Sequence, residues 1–157
     1  MDLAVPVIDV AVAIAAPVER VFDLARSIDF HVVSAGASEE RPIAGRTSGL
    51  IELGETVTWS ARHFGIRQTL TVRITEFDRP RRFRDSMVAG AFRSFDHDHL
   101  FETKDGSTLM RDVFRYEAPL GLLGRFASAL VVERHMRRFL VERGLAIKAA
   151  AESDAWR

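Results

Sequence analysis

Residues 90–121, GAFRSFDHDHLFETKDGSTLMRDVFRYEAPLG, constrain the fold of this chain more than any other stretch. They read as two long antiparallel strands joined by a turn at Lys104-Asp105-Gly106, followed by a proline-glycine entry into a helix. Successive side chains on a strand point to opposite faces. Alternation therefore puts Phe95, His97, His99 and Phe101 on one face of the first strand. Arg93, Asp96 and Asp98 look unlike core residues, so the His/Phe face is the inward one. On the second strand Met110, Asp112, Phe114 and Tyr116 share a face, opposite Arg111 and Arg115. Two histidines and an aspartate thus point into an otherwise apolar interior, where ionisable groups are costly unless paired. That conflict is the main pointer to function.

The rest of the chain supports the same sheet. Residues 7–14 alternate Ile8, Val10, Val12 and Ile14 with smaller or polar residues, a strand signal. Pro17 suits the first turn of a helix carrying Val18, Val21, Phe22 and Ala25, and Ser27 can cap a second short helix with Ile28, Phe30, His31 and Val32. Residues 35–49 read as a loop, with a short edge strand around 41–44. From Glu55 the pattern is strand: Val57, Trp59, Ala61 and His63 share one face, then Gln68, Leu70, Val72 and Ile74, then Phe83, Asp85 and Met87. Pro119 is expected to start a helix reaching about Glu152, with an apolar stripe of Leu123, Phe126, Leu130, Phe139, Leu140 and Ile147. Such a helix is about 50 Å long at ~1.5 Å per residue, enough to cross a sheet.

Size and charge narrow the function. A chain of 157 residues makes one domain with a substantial core. Its 22 basic and 22 acidic residues balance, so no net field draws it to nucleic acid or an anionic membrane. All but Lys104 and Lys148 of the basic residues are arginine, a bias that codon usage explains. The absence of cysteine excludes a disulfide scaffold, a thiol nucleophile and a cysteine-ligated zinc. Ala13-Ile14-Ala15 looks like a signal-peptide cleavage site, but no basic residue precedes Arg20 and Asp9 interrupts the apolar run. No apolar stretch reaches the ~20 residues of a membrane span. A cytoplasmic location is expected, and the oligomeric state stays open.

The element order, together with GLIELGETVTWSARHFG (49–65), FDRPRRFRD (77–85), GAFRSFDHDHLF (90–101), STLMRD (107–112) and PLGLLG (119–124), resembles the helix-grip SRPBCC superfamily. That superfamily includes START lipid-transfer domains, polyketide cyclases and plant pathogenesis-related allergens. More narrowly, the chain is similar to bacterial members of unassigned function, some labelled "cell division inhibitor". The resemblance covers nearly the whole chain. It implies an α+β helix-grip fold, with a curved antiparallel sheet of about seven strands in the order β-α-α-β6-α wrapped on a long C-terminal helix. It also implies a small hydrophobic or amphipathic molecule as partner, held between sheet and helix. No catalytic motif of a characterised member transfers residue by residue, and fold alone does not settle function.

His97-x-His99 is the sharpest chemical feature. Residues two apart on a strand lie about 7 Å from each other on the same face, so both imidazoles can reach one ligand or one metal. Three uses are open: a structural polar network, groups that orient a ligand, or a metal site completed by His63 and Asp112. Asp112 is placed to pair with His97 or His99, which would raise a histidine pKa above about 6.5. Asp85 is expected to balance a histidine or an arginine. Trp59, Phe92 and Tyr116 supply candidate aromatic walls, with Trp59 favoured because it shares a face with His63. His31 lies either at a mouth of the grip or on an exposed helix face, and His135 among charged neighbours is expected to face solvent. Arg79, Arg81, Arg82 and Arg84 read as a solvated basic face, and Gly121 and Gly124 as sites of close approach or open space. The resulting expectation is a binding protein with no assigned catalytic residue, metal or cofactor. The alternatives are a cyclase- or hydratase-type enzyme using a His–Asp pair, and a non-catalytic interaction protein with an exposed apolar patch.

Overall fold

The computed structural model of the chain describes residues 5–63, 65–118 and 129–153. Strand β1 (Val7–Ile14) leads into two short helices, α1 (Val18–Ala25) and α2 (Ile28–Ser34), and a 3-10 turn at Gly36–Ser38. Six strands follow: β2 (Arg41–Gly45), β3 (Thr56–His63), β4 (Ile66–Asp78), β5 (Arg82–Ala89), β6 (Ser94–Lys104) and β7 (Ser107–Glu117). Helix α3 (Ala129–Ala151) completes the described chain. The strands form one antiparallel sheet in the order β1-β7-β6-β5-β4-β3-β2, so the first strand closes one edge beside the last. Helix α3 spans Ala129–Ala151, whereas the start expected at Pro119, with Leu123, Phe126, Gly121 and Gly124, lies outside the described residues.

Local chemistry explains the turns and caps. Asp105 and Gly106 have φ of 51° and 77°, the pair of positive values that the tight β6–β7 hairpin needs. Ser27 caps α2 by accepting a hydrogen bond from the Phe30 amide at 3.1 Å. Gly45 has φ of 74° and lies so close to Thr56 that an added Cβ would fall 2.2 Å from its carbonyl oxygen. Register shifts between Thr71 and Val72 and between Ile74 and Glu76 put irregularities into β4–β5. Such shifts bend a strand and increase its twist, which here opens a concave face.

The concave face is covered from two sides. Phe22 of α1 is fully buried, with ring centroids 5.4, 5.3 and 5.1 Å from Phe77, Phe83 and Phe101 in edge-on contacts. Burial of a ring of that size stabilises by roughly 2–3 kcal/mol. The C-terminal end of α3 is clipped to the β1–α1 corner. Lys148 Nζ donates to Ala13 O at 2.8 Å, the Ala15 amide donates to Glu152 Oε1 at 2.8 Å, and Arg20 donates to Ala151 O at 2.9 Å. Leu140 and Ile147 turn inward and are buried, as the stripe predicts, but Leu130 does not and is 54% exposed. From that anchor the helix runs across the sheet to β3, leaving an interior space between them.

Candidate functional site

A cavity of about 390 Å³ occupies the space between the concave face and α3. Its walls are mainly apolar, with Val57, Trp59, Leu70, Val72, Phe95 and Phe114 from the sheet and Met136 and Phe139 from the helix. Two polar clusters break this surface.

The first sits on β5, β6 and β7. Register pairs Asp85 with His97, and His99 with Asp112, so four ionisable side chains meet on the inner face. His97 Nε2 is 2.9 Å from Asp112 Oδ1, and His99 Nε2 is 2.6 Å from Asp85 Oδ2. The second nitrogen of each ring faces the other carboxylate, His99 Nδ1 to Asp112 at 3.3 Å and His97 Nδ1 to Asp85 at 3.7 Å. The result is a closed square of two imidazoles and two carboxylates. Burial opposes charge on His99, yet the hydrogen bonds to Asp112 and Asp85, with their charges, outweigh it and lift its pKa to about 9. Burial likewise pushes both carboxyls up, but the neighbouring histidines hold Asp85 and Asp112 below the usual carboxylate range. His97, His99 and Asp85 face the cavity, whereas Asp112 is not among its lining residues.

Ligand atoms of Asp85, His97 and His99 lie within 4.8 Å of one another, close enough for a cation to bridge. The two rings, however, are nearly stacked, with centroids 3.8 Å apart and planes 31° apart, so their lone pairs run side by side instead of converging. Each ring nitrogen already faces a carboxylate. The donor set fits a hydrogen-bonded network better than a metal cage.

His63 does not join this square. Its Nδ1 is 2.9 Å from Nε2 of His135 on α3, and this contact ties β3 to the helix. His135 is therefore half-buried and lines the cavity, against the expectation that it faces solvent. Burial lowers the pKa of both imidazoles, and for His135 the nearby His63 adds to the effect.

The second polar cluster joins α2, the loop before β2, and α3. His31 stacks on Trp59 with centroids 4.0 Å apart and planes 21° apart, which settles its side chain on the cavity wall rather than an exposed face. Its Nε2 is 2.6 Å from Glu40 Oε2 and 2.9 Å from Arg143 Nη1. Glu40 and Arg143 were not singled out by the sequence patterns. Glu40 sits in a stretch that reads as loop and carries no periodic signal. Arg143 did leave one, since Met136, Phe139, Leu140 and Arg143 recur at the spacing of a single helix face, where a cation is out of place.

The remaining expected residues fall in two groups. Trp59 and Phe92 line the cavity, while Tyr116 is buried against Phe92 and Phe114 and is not among the lining residues. The arginines near the β4–β5 turn do not form a free basic face. Arg79 pairs with Asp23, Arg81 with Asp78, and Arg82 and Arg84 with Glu76 and Asp98.

A curved antiparallel sheet gripping one long helix around an apolar cavity defines a helix-grip protein. Residues 6–152 match the family described as "Polyketide cyclase / dehydrase and lipid transport", and the chain belongs to it. Solved structures share the fold at low identity. The Zhui aromatase/cyclase of Streptomyces sp. R1128 is 15% identical, with a TM-score of 0.75 over 94% of this chain and 93% of that one. A START superfamily protein from Mycobacterium smegmatis is 12% identical, with a TM-score of 0.72 over 93% and 97%. Ginseng major latex-like protein 151 from Panax ginseng is 16% identical, with a TM-score of 0.69 over 94% and 98%. No curated protein matches the chain. Among the described residues no helix is long and apolar enough to cross a membrane.

Proposed function

We propose that the protein binds a small, largely hydrophobic molecule in the cavity between sheet and α3, with the inward His/Asp cluster orienting its polar end. The observation that carries this reading is the cavity itself: about 390 Å³ within apolar walls, with His97, His99 and Asp85 facing it. That volume falls in the range of small-molecule sites, which combine an apolar lining with a few placed polar groups. The wall supplies affinity at about 25 cal/mol per Å² of ligand surface removed from water, before binding costs are subtracted. The square supplies direction through His97, whose Nδ1 is 3.7 Å from Asp85, too far for a hydrogen bond and free to meet a ligand oxygen, while Asp112 holds its Nε2 at 2.9 Å.

The neutral probe N-phenyl-1-naphthylamine tests the cavity directly. It should brighten on binding the wild type, and Val72→Trp, which fills the space from the sheet side, should weaken binding about tenfold or more with little loss of melting temperature. Equal binding to both proteins would place the probe elsewhere and sink the reading. Native mass spectrometry of gently purified protein, with elemental analysis, would then give the chemical class of any co-purifying molecule.

A second reading, a cyclase- or hydratase-type enzyme, is favoured by one observation. Asp112 lies outside the cavity lining and holds His97, which faces the cavity, in the arrangement of a base oriented by an acid. Its mark would be turnover of a bound carbonyl compound that varies with pH and disappears in a folded His97→Gln protein.

A further inference from the structure

Arg143 presents a problem that the protein alone does not solve. It lies on α3, is partly buried and lines the cavity, and desolvation there lowers its pKa. It contacts His31 Nε2 at 2.9 Å and the Ala25 carbonyl at 3.5 Å, and no carboxylate forms an ion pair with it among the described residues. A guanidinium carries five N–H donors in a planar fork and is costly to bury without acceptors. The buried Arg26 shows the ordinary solution, with Asp23 at 2.9 Å and Glu52 at 3.1 Å.

The His31 contact is not an acceptor for Arg143. His31 Nε2 is also 2.6 Å from Glu40 Oε2, and one ring nitrogen cannot donate to a carboxylate and accept from a guanidinium together. Burial pushes the Glu40 carboxyl up, but His31 and Arg143 hold it below the usual range, so Glu40 is ionised and His31 is the donor to it. Arg143 Nη1 then points at an N–H. The three nearby carboxylates are all engaged by histidines, Glu40 by His31 and Asp85 and Asp112 by the square.

We propose that Arg143 is the seat of the ligand's carboxylate, so that the ligand is a small hydrophobic carboxylic acid. The inference rests on the reading of the cavity as a binding pocket and names the class of molecule it takes. A carboxylate in the cavity offers two oxygens to the planar fork, the geometry in which arginine binds best. As Arg143 turns to the ligand, the His31–Glu40 bond stands alone and the conflict at Nε2 disappears. Trp59, stacked on His31, places an aromatic surface beside the acid group for the ligand's apolar body.

The test is calorimetric titration of 1-naphthoic acid and 1-naphthamide, which share a ring system and differ in charge. The acid should bind the wild type about tenfold or more tightly than the amide near neutral pH. Arg143→Met should remove that advantage, weakening the acid at least about tenfold and the amide far less. Glu40→Gln, which removes a negative charge beside the seat, should tighten the acid several-fold and change the amide much less, an effect no purely structural role produces. Should Arg143→Met fail to fold, the wild-type ratio and Glu40→Gln still decide. Equal binding of acid and amide to the wild type overturns the Arg143 seat and leaves the pocket standing. Binding of neither overturns the Arg143 seat, and if N-phenyl-1-naphthylamine also fails to bind, the pocket reading falls with it.

Discussion

Strand β6 carries a buried carboxylate on its outer face and helps to bury another, Asp112, against its inner face, and the two settings behave differently. Outward, Asp98 is 5% exposed and accepts from Arg84 at 2.8 and 3.1 Å and from Arg115 at 3.0 Å. Inward, Asp112 is 7% exposed and accepts from His97 and His99. Burial of the two carboxylates is nearly the same. Their partners are not. The arginines around Asp98 remain partly exposed and keep their charge at any accessible pH, so the outer cluster is a permanent set of ion pairs open to water. His97 and His99 beside Asp112 are buried and face the cavity, and His99 gives up its charge as pH rises through about 9. A buried carboxylate is therefore no sign of a site by itself. A buried carboxylate whose partners are imidazoles that face a cavity is one.

The largest effect that separates the two settings is on stability. Asp112→Ala leaves buried histidines without their acceptor and should cost about 3–5 kcal/mol in urea unfolding, whereas Asp98→Ala frees arginines that can turn to solvent and should cost about 1 kcal/mol. Comparable losses would erase the distinction.

Next comes pH. The folded pKa of His99, about 9, lies above its ordinary value of 6.5, so its contribution is complete below 6.5 and is lost as pH rises through 9. Melting temperature should fall across that window, by the equivalent of about 3 kcal/mol, and His99→Gln should flatten the fall. His31, His63 and His135 have lowered pKa values, mainly through burial, so they cost stability as pH drops through about 6.5. Stability should peak near pH 6.5 and decline on both sides. The Asp98 cluster contributes no slope in this range, so a decline that persists in His99→Gln would point to another group.

Smallest is the response to salt. Glu76→Gln weakens the outer network and should cost about 0.5 kcal/mol at low ionic strength and almost nothing in 1 M salt. The inner square, screened by protein, should keep its contribution. Equal salt sensitivity in Asp112→Ala and Glu76→Gln proteins would mean that water reaches both.

Much of this architecture was legible in the chain because strand alternation is a local property. Phe95, His97, His99 and Phe101 face inward as the two-residue period requires, and so do Trp59, Asp85 and Asp112. The same period put Asp98 on the outer face, but not under the three arginines that bury it, since those come from two other strands. His63 shows the limit more sharply. Alternation aimed it inward correctly, and proximity to His97 was then an attractive inference, yet its partner is His135 on the helix.

Composition and periodicity determined the layers: which residues are strand, which face is apolar, and that ionisable groups would be trapped on it. Only the tertiary structure decided which of those groups meet. Register sets Asp85 opposite His97 but its shortest contact is the diagonal one to His99, and Arg143 reaches His31 across 112 positions of sequence because a helix anchored at β1 crosses the sheet to β3. The reason is physical. Facing direction depends on a residue's own backbone, whereas contact depends on register, curvature and helix placement, which the whole core settles together.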